Sequence, residues 1–279
     1  MPYDMPHAAS VPELVDQVLA GALGPDPATL FATGAFWVAQ STRFPGTQQK
    51  YRNYYLLLRS GATFGACCLE PDQLEPVIAE QLAGESLADL LRDERLPVRV
   101  AALDAYLAAV RPHKDNPAAT PYLLPFGDPP TRAVARDKAI ASLLRIEPGQ
   151  KVGLIGVVNP LVAAIEEQGG VCLPCDFNME TTQFGHVVAS DMEPVLADAD
   201  MVVATGMTMS NGSFDRLLAV ARERSIPLLI YAQTGSAIAP CFLGNGIAAI
   251  SAEPFPFSQF SGDPTLVYLY RSAAEGSDE

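Results

Sequence analysis

The chain has 279 residues, of which 49% are hydrophobic, and a formal net charge of -14. Its length suits two domains better than one, and its charge disfavours nucleic-acid and membrane partners because a negative field repels phosphate backbones and anionic lipids. No apolar run approaches the roughly 20 residues that span a bilayer, and the first ten residues do not resemble a signal peptide. We therefore expect a cytoplasmic protein.

Residues 1–111 are predicted to form a small α+β domain. Apolar residues at helical spacing predict its helices, whereas aromatic and aliphatic runs predict the strands of a hairpin and a third strand. The predicted helices are 11–22, 72–83, 87–93 and 98–110, and the predicted strands are 33–41, 51–59 and 62–69. Ser86 is the expected N-cap of the third helix.

A proline-rich segment, residues 112–130, separates this domain from the next. Proline cannot donate a backbone hydrogen bond and breaks helices, so the density of prolines predicts a linker without regular structure. The prolines are Pro112, Pro117, Pro121, Pro125, Pro129 and Pro130. At the other end of the chain, residues 273–279 are a polar tail that we expect to be disordered.

Residues 131–272 are predicted to form a Rossmann-like α/β domain. Strands that alternate with helices favour right-handed crossovers and a parallel sheet that is covered on both faces. The predicted strands are 151–156, 171–175, 200–204, 227–231 and 246–251, and the predicted helices are 131–144, 160–168 and 214–223. Asn159 is the expected N-cap of the middle helix.

The loops after the first two strands of this sheet are candidate ligand contacts, because open parallel sheets bind ligands beyond the carboxyl ends of their strands. Gly156 permits close approach of a ligand, and an acidic residue after the second strand is where nucleotide folds hold ribose hydroxyls. An ordinary turn and a solvated carboxylate are the alternatives. The pair suggests an adenosyl-type ligand, although the sequence is not G-x-G-x-x-G. The candidate contacts are Gly156, Val157, Asn159, Asp176, Phe177 and Asn178.

The segment after the third strand, residues 205–213, is the most informative, because it is longer and more polar than a helix cap requires. We favour ligand contact over mere capping for this segment. Its candidates are Thr205, Gly206, Met207, Thr208, Ser210 and Asn211, and Gln233 and Thr234 follow the fourth strand.

Aromatic residues supply further candidates. Phe255 and Phe257 follow the fifth strand, where they could cage an ammonium or a sulfonium, but we favour the alternative that this loop covers the edge of the sheet. In the N-terminal hairpin, Arg52 and Tyr54 could close over a substrate. The alternative for the hairpin is a half-buried strand pair with cross-strand aromatic packing.

Residues that could bind a metal are few and scattered. The three histidines, His7, His113 and His186, form no H-x-x-H pattern, so a preformed metal site is not indicated. Cys172 and Cys175 have C-x-x-C spacing, but no second such pair exists, and we interpret both as small buried residues near a strand end. Five cysteines in a cytosolic context do not indicate a disulfide framework.

Three segments carry a resemblance to a known family. Residues 199–215, ADMVVATGMTMSNGSFD, resemble the signature D-v-v-i-x-T-G-x-T-x-x-N-x-T of the putative heavy-metal-chelation family. Residues 84–90, GESLADL, and 101–105, AALDA, resemble its N-terminal domain, with Asp104 where the family usually has Asn. The resemblance implies an enolase-N-terminal-like domain, a Rossmann-like C-terminal domain, and a metal or metal chelate in the cleft between them.

Two functions follow from these observations. The first is a protein that binds a small ligand, either a metal chelate or a nucleotide-like molecule, in the interdomain cleft. The second is an enzyme, a transferase or a lyase, that uses S-adenosylmethionine on a small metabolite. A dehydrogenase that uses NAD is disfavoured by the missing glycine pattern. Whether the protein is an enzyme, whether its cofactor is S-adenosylmethionine or a metal ion, and whether it is a homodimer stay open.

Overall fold

A computed structural model describes residues 8–43 and 51–272. It confirms the predicted fold class, because a small domain with a three-stranded antiparallel sheet precedes an α/β domain with a seven-stranded, mostly parallel sheet. His7 and the predicted tail 273–279 lie outside the described residues. None of the helices in these two ranges combines the length and the apolar character that a transmembrane span requires.

The small domain contains the predicted hairpin and the predicted third strand. Its strands, in the order β1-β2-β3, are β1 (Gly34–Thr42), β2 (Tyr51–Ser60) and β3 (Thr63–Leu69). Its helices are α1 (Val11–Leu19), α2 (Ile78–Leu82), α3 (Leu87–Leu91) and α4 (Leu96–Val110). Ser86 caps α3 as predicted. The helix predicted over 72–83 begins later, because Asp72 adopts a left-handed conformation (φ 63°) and Pro76 disfavours helical geometry in the residue before it.

Helix α4 is the centre of the small domain. It is apolar nearly all round, as expected of a helix that is buried on every side, and its residues belong to a core that continues into the C-terminal domain. Strand β3 crosses it so closely that a Cβ on Gly65 would lie 2.1 Å from the backbone nitrogen of Ala105. Only glycine fits at this crossing.

The C-terminal sheet has the order β4-β10-β9-β8-β7-β5-β6. Its strands are β4 (Thr120–Leu124), β5 (Lys151–Ile155), β6 (Val171–Cys175), β7 (Met201–Thr205), β8 (Leu228–Ala232), β9 (Ala249–Ala252) and β10 (Thr265–Arg271). Its helices are α5 (Pro129–Ala141), α6 (Asn159–Glu167), α7 (Met192–Asp198), α8 (Met207–Ser210) and α9 (Phe214–Arg224). Strands β5 to β9 are parallel, whereas β10 is antiparallel to both β9 and β4.

Three expectations about this domain are wrong. The segment predicted as a linker without regular structure contains β4, where Pro121 is tolerated because an edge strand has only one neighbour. The sheet is mixed rather than fully parallel, because β10, a strand that was not predicted, runs antiparallel to both β9 and β4. Asn159 is the first residue of α6 rather than its N-cap, which is Val158.

The strand order reverses between β5 and β7. The chain runs outward from β5 to β6, then returns past β5 to β7, β8 and β9. Such a reversal leaves a crevice beyond the carboxyl ends of the central strands, which is the place where open α/β sheets bind ligands. The fold therefore places the loops after β5, β6 and β7 around one crevice.

Candidate functional site

A cleft of about 530 Å³, open to solvent, lies at this reversal point. Residues from both domains line it, which fits the usual location of ligand sites at domain interfaces. The lining residues are Glu70, Ile155, Gly156, Cys175, Asp176, Phe177, Asn178, Met192, Thr205, Met207, Thr208, Asn211 and Ser213. Eight of the residues proposed from the sequence are thereby brought together: Gly156, Asp176, Phe177, Asn178, Thr205, Met207, Thr208 and Asn211.

The loop after β5 is held by the carboxylate of Asp176. Its Oδ2 accepts a hydrogen bond from the backbone N–H of Val157 (2.9 Å), and its Oδ1 accepts one from the N–H of Asn178 (2.8 Å). In dinucleotide-binding folds, backbone N–H groups of this loop bind phosphate. Here a carboxylate already takes the Val157 N–H, and its charge would repel a phosphate.

Gly156 is required by the local geometry. Its φ of +82° lies in the left-handed region, and a Cβ at this position would lie 2.5 Å from Cγ2 of Thr205. The hydroxyl of Tyr231 would lie 3.2 Å from the same Cβ, and it donates to the Gly156 carbonyl (2.6 Å). Burial raises the pKa of Tyr231, so this hydroxyl keeps its proton at neutral pH.

The segment after β7 is partly helical. Helix α8 forms there, and two of its hydroxyls bond to backbone carbonyls, Thr208 to Thr205 (2.8 Å) and Ser210 to Met207 (2.8 Å). Asn211 Oδ1 accepts from both the N–H (3.1 Å) and the hydroxyl (2.7 Å) of Ser213. Part of the polarity of this segment therefore satisfies local hydrogen-bonding groups, the alternative that the sequence left open, although neither α8 nor α9 has a side-chain cap.

Gly206 and Ser210 of the same segment do not line the cleft. Ser210 is fully buried, and a Cβ on Gly206 would lie 2.3 Å from the carbonyl oxygen of Thr234. Val157 and Asn159 also lie outside the lining: Val157 contributes its N–H to Asp176, and Asn159 Oδ1 accepts from the N–H of Gln183 (3.0 Å). These four residues support the walls of the cleft.

Glu70 brings the small domain into the cleft. It follows the last residue of β3, and its Oε2 lies 3.4 Å from Nδ2 of Asn178 on the opposite wall. Gln73 accepts from the N–H of Glu70 (3.0 Å) and donates to the carbonyl of Ser210 (2.8 Å), so the end of β3 is tied to α8. Glu70, Met192 and Ser213 were not among the sequence candidates. For Glu70 the available signal was an acidic residue directly after a predicted strand.

Thr234 and Gln233 lie outside the cleft and take part in contacts between domains or loops. Thr234 Oγ1 accepts from the N–H of Cys68 on β3 (2.5 Å). Gln233 donates to Glu253 (2.8 Å) and exchanges two hydrogen bonds with Gln259 (3.0 and 3.1 Å). Gln259 also donates to the hydroxyl of Tyr55 on β2 (3.0 Å). Both the Nε2 and the Oε1 of Gln233 therefore have hydrogen-bond partners.

A fully buried carboxylate also joins the two domains. Asp104 on α4 accepts from the N–H of Ala66 on β3 (2.8 Å) and from the N–H of Ala237 in the loop after β8 (2.7 Å). Burial raises its pKa to about 7, although these backbone hydrogen bonds act in the opposite direction. The charge of Asp104 in turn helps to raise the pKa values of the thiols of Cys67 and Cys241.

The aromatic candidates also lie outside the cleft. Phe255 packs on Phe64 of β3 (ring centroids 4.9 Å apart), and Phe257 packs on Tyr55 of β2 (5.3 Å). Tyr54 packs on Trp37 (5.3 Å) within the hairpin. Arg52 is exposed and lies opposite Ser41 in the pairing of β1 and β2. The contact of Tyr54 corresponds to the cross-strand packing stated as the alternative for the hairpin, whereas Phe255 and Phe257 pack on the strands of the small domain rather than over the edge of the C-terminal sheet.

The two cysteines with C-x-x-C spacing face opposite sides of the sheet. Cys172 packs in the core on one face and Cys175 in the core on the other, so the two thiols cannot share a metal ion or form a disulfide. Burial raises the pKa of Cys172 to about 12 and that of Cys175 to about 11. Both are therefore protonated thiols, as the interpretation as small buried residues requires.

The described histidines serve local contacts away from the cleft. His186 Nε2 lies 2.7 Å from Oε1 of Glu166 on α6. His113 is buried, its Nδ1 lies 2.6 Å from the hydroxyl of Tyr270, and its ring stacks on Tyr268. Among residues 8–43 and 51–272, no group of three or more His, Cys, Asp and Glu side chains is placed to hold a metal ion.

Comparison with known proteins agrees with the resemblance seen in the sequence. Residues 138–251 match the model of a family described as putative heavy-metal chelation, DUF364. This part of the chain is therefore similar to that family. A search of the curated proteins finds no match.

Two solved structures of proteins with unknown function from this family share the fold. The protein from Desulfitobacterium hafniense has 17% identity and a TM-score of 0.59, over 93% of this chain and 97% of that one. The protein from Pyrococcus horikoshii has 14% identity and a TM-score of 0.56, over 92% of this chain and 99% of that one. The two-domain arrangement therefore extends along nearly the whole length of these family members.

Proposed function

We propose that this protein binds a small ligand, either a metal chelate or a nucleoside-like molecule without a bound phosphate group, in the cleft between the two domains. One observation carries the proposal. The cleft lies at the reversal of strand order and is lined by two carboxylates, Glu70 and Asp176, and by no Lys, Arg or His among the described residues. Such a lining favours a cation or a hydroxyl-rich molecule over an anion.

A chelate suits the cleft better than a bare metal ion. A bare soft metal ion is held by several close side chains, usually thiolates or imidazoles. Cys175 is the cysteine in the lining, its thiol is protonated, and Cys172 faces the other side of the sheet. A metal that arrives with its own ligands would need only the shape and the charge of the cleft.

The second candidate is an enzyme that uses S-adenosylmethionine. Asp176 follows the strand after β5, where related folds bind ribose hydroxyls, and the lining suits a sulfonium group, which is cationic.

The cytoplasmic location and the lack of nucleic-acid partners stay predictions that rest on the sequence and its charge of -14. Whether the protein is a homodimer stays open.

A thermal-shift panel tests both candidates. A ligand that binds only the folded state, at about 100 times its Kd, stabilises the protein by about 2.7 kcal/mol and raises the melting midpoint by several degrees. The panel contains S-adenosylmethionine, NAD, the salts of Ni, Zn, Co and Fe, and the same metals as preformed chelates.

We expect stabilisation by S-adenosylmethionine or by a chelate, and a reduced shift in Asp176→Asn, because this change weakens the hold on the loop after β5. Stabilisation by the bare metal salts alone would contradict the proposed site. A shift of equal size in wild type and Asp176→Asn would place the ligand elsewhere.

A further inference from the structure

The two acidic residues of the cleft differ in the hydrogen bonds that their carboxylates make. Both carboxylate oxygens of Asp176 accept backbone N–H groups, at 2.9 and 2.8 Å, so its charge already stabilises the walls. Among the described residues, the carboxylate of Glu70 has one hydrogen-bond partner, the amide of Asn178 across the cleft, at the long distance of 3.4 Å. Glu70 therefore holds the less committed negative charge in the cleft.

The backbone of β3 fixes the position of Glu70. One edge of β3 pairs with β2, and alternate residues on the other edge bond to groups of both domains. Ala66 donates to Asp104 and accepts from Gly235 (3.1 Å), Cys68 donates to Thr234, and Glu70 donates to Gln73. Because Ala66, Cys68 and Glu70 are all hydrogen-bonded on this edge, Glu70 reaches the cleft from an anchored strand end.

We propose that Glu70 determines the charge preference of the cleft, so that the ligand presents a positive charge to the small domain. This inference rests on the proposed function and specifies the class of ligand. Two observations support it. The carboxylate of Glu70 makes only a long hydrogen bond among the described residues, and the described lining of the cleft contains no cationic side chain.

The rest of the lining indicates what kind of cation fits. Met192 and Met207 supply polarizable thioether side chains, and Phe177, which is 65% exposed, supplies an aromatic ring. Polarizable and aromatic groups attract weakly hydrated cations such as sulfonium and quaternary ammonium groups. A strongly hydrated ion such as Mg²⁺ would instead require more oxygen ligands.

Two pairs of probes isolate the effect of charge. S-adenosylmethionine and S-adenosylhomocysteine differ by one methyl group and the positive charge on sulfur. Hexaamminecobalt(III) and hexacyanocobaltate(III) are inert octahedral complexes of opposite charge. Isothermal titration calorimetry gives the ratio of Kd values within each pair for wild type, Glu70→Gln and Glu70→Lys.

Glu147→Gln is the matched control. It removes the same charge from an exposed side chain four residues before β5, at the amino end of the sheet and far from the cleft. Since the whole protein has a charge of -14, this control measures the general attraction of cations. Equal melting midpoints of the variants without ligand verify that each is folded.

We expect wild type to bind at least one cationic probe in preference to its partner, and Glu70→Gln to lower that preference about tenfold, as one charge near a partly exposed site does. Glu70→Lys should shift the preference toward hexacyanocobaltate(III), and Glu147→Gln should leave it near the wild-type value.

A ratio that falls equally in Glu70→Gln and Glu147→Gln would overturn the role of Glu70 and leave the proposed function standing, provided that Asp176→Asn still weakens binding. Binding of hexacyanocobaltate(III) to wild type as tight as that of hexaamminecobalt(III) would overturn the cation preference. Failure of wild type to bind either cationic probe would overturn the charge preference, and failure to bind any of the four probes would contradict the proposed function as well.

Discussion

Replacement of Asp104 by Asn should change how the stability of the protein depends on pH. Asp104 is buried where α4 meets β3 and the loop after β8, and burial raises its pKa to about 7 from the ordinary value of 3.8. Between these two pH values the folded state holds a proton that the unfolded state releases. Protonation therefore stabilises the folded protein below the unfolded pKa, and this contribution is lost as pH rises to about 7.

The magnitude follows from the shift. Each unit of pKa difference corresponds to about 1.4 kcal/mol, so a shift of about three units makes the free energy of unfolding fall by roughly 4 kcal/mol over this range. Of this fall in the free energy of unfolding, about 3 kcal/mol should occur above pH 5. Asn does not titrate, so Asp104→Asn should lack this part of the wild-type slope.

Urea unfolding at pH 5 and pH 8 measures the effect. Between pH 5 and pH 8 the free energy of unfolding should fall by about 3 kcal/mol more in wild type than in Asp104→Asn, because only the wild type loses the contribution of its bound proton. Asp16→Asn, at an exposed position on α1, is the control and should follow the wild-type profile. Parallel profiles for Asp104→Asn and wild type would refute the assignment of this linkage to Asp104.

Two further predictions concern stability. Burial lowers the pKa of His113 to about 4 from the ordinary value of 6.5, so only the unfolded state binds its proton between these values. Stability should therefore fall by roughly 3 kcal/mol as pH drops through this window, and urea unfolding at pH 4.5 and pH 7 should show a smaller loss in His113→Phe. Gly65→Ala places a Cβ 2.1 Å from the nitrogen of Ala105 and should lower the free energy of unfolding by about 3 kcal/mol or more. Gly262→Ala, whose Cβ would meet its nearest atom at 3.5 Å, should change it little, and equal effects of the two would contradict the close packing of β3 on α4.

Local sequence patterns predicted most helices and strands of the C-terminal domain. The strand Val171–Cys175 has the predicted bounds, and the helix Phe214–Arg224 differs by one residue at its end. Buried strands between helices are recognisable because their signal lies within a few consecutive residues. The strand Thr120–Leu124 was missed because prolines within and around it are read as breakers, whereas its edge position tolerates Pro121.

The sequence predicted the part of the candidate site that depends on the order of the strands, but not the part that depends on how the two domains dock. Gly156, Asp176 and Thr205 follow strands whose carboxyl ends must meet, so the topology alone brings them together. Glu70 could not be assigned in the same way, because its place in the cleft depends on how β3 docks on the other domain. Thr234 has the same polar character as a ligand contact, but the docking uses its hydroxyl to accept from Cys68.

The most direct test of the central claim is a titration of the ¹⁵N-labelled protein with S-adenosylmethionine and with hexaamminecobalt(III), followed by amide chemical shifts. We predict that the largest changes occur at the walls of the cleft, at Val157, Asn178, Met207 and Glu70, and that they are reduced in Asp176→Asn. Changes confined to residues away from the cleft, or no change with either probe at millimolar concentration, would contradict the claim that this cleft binds a small cationic ligand.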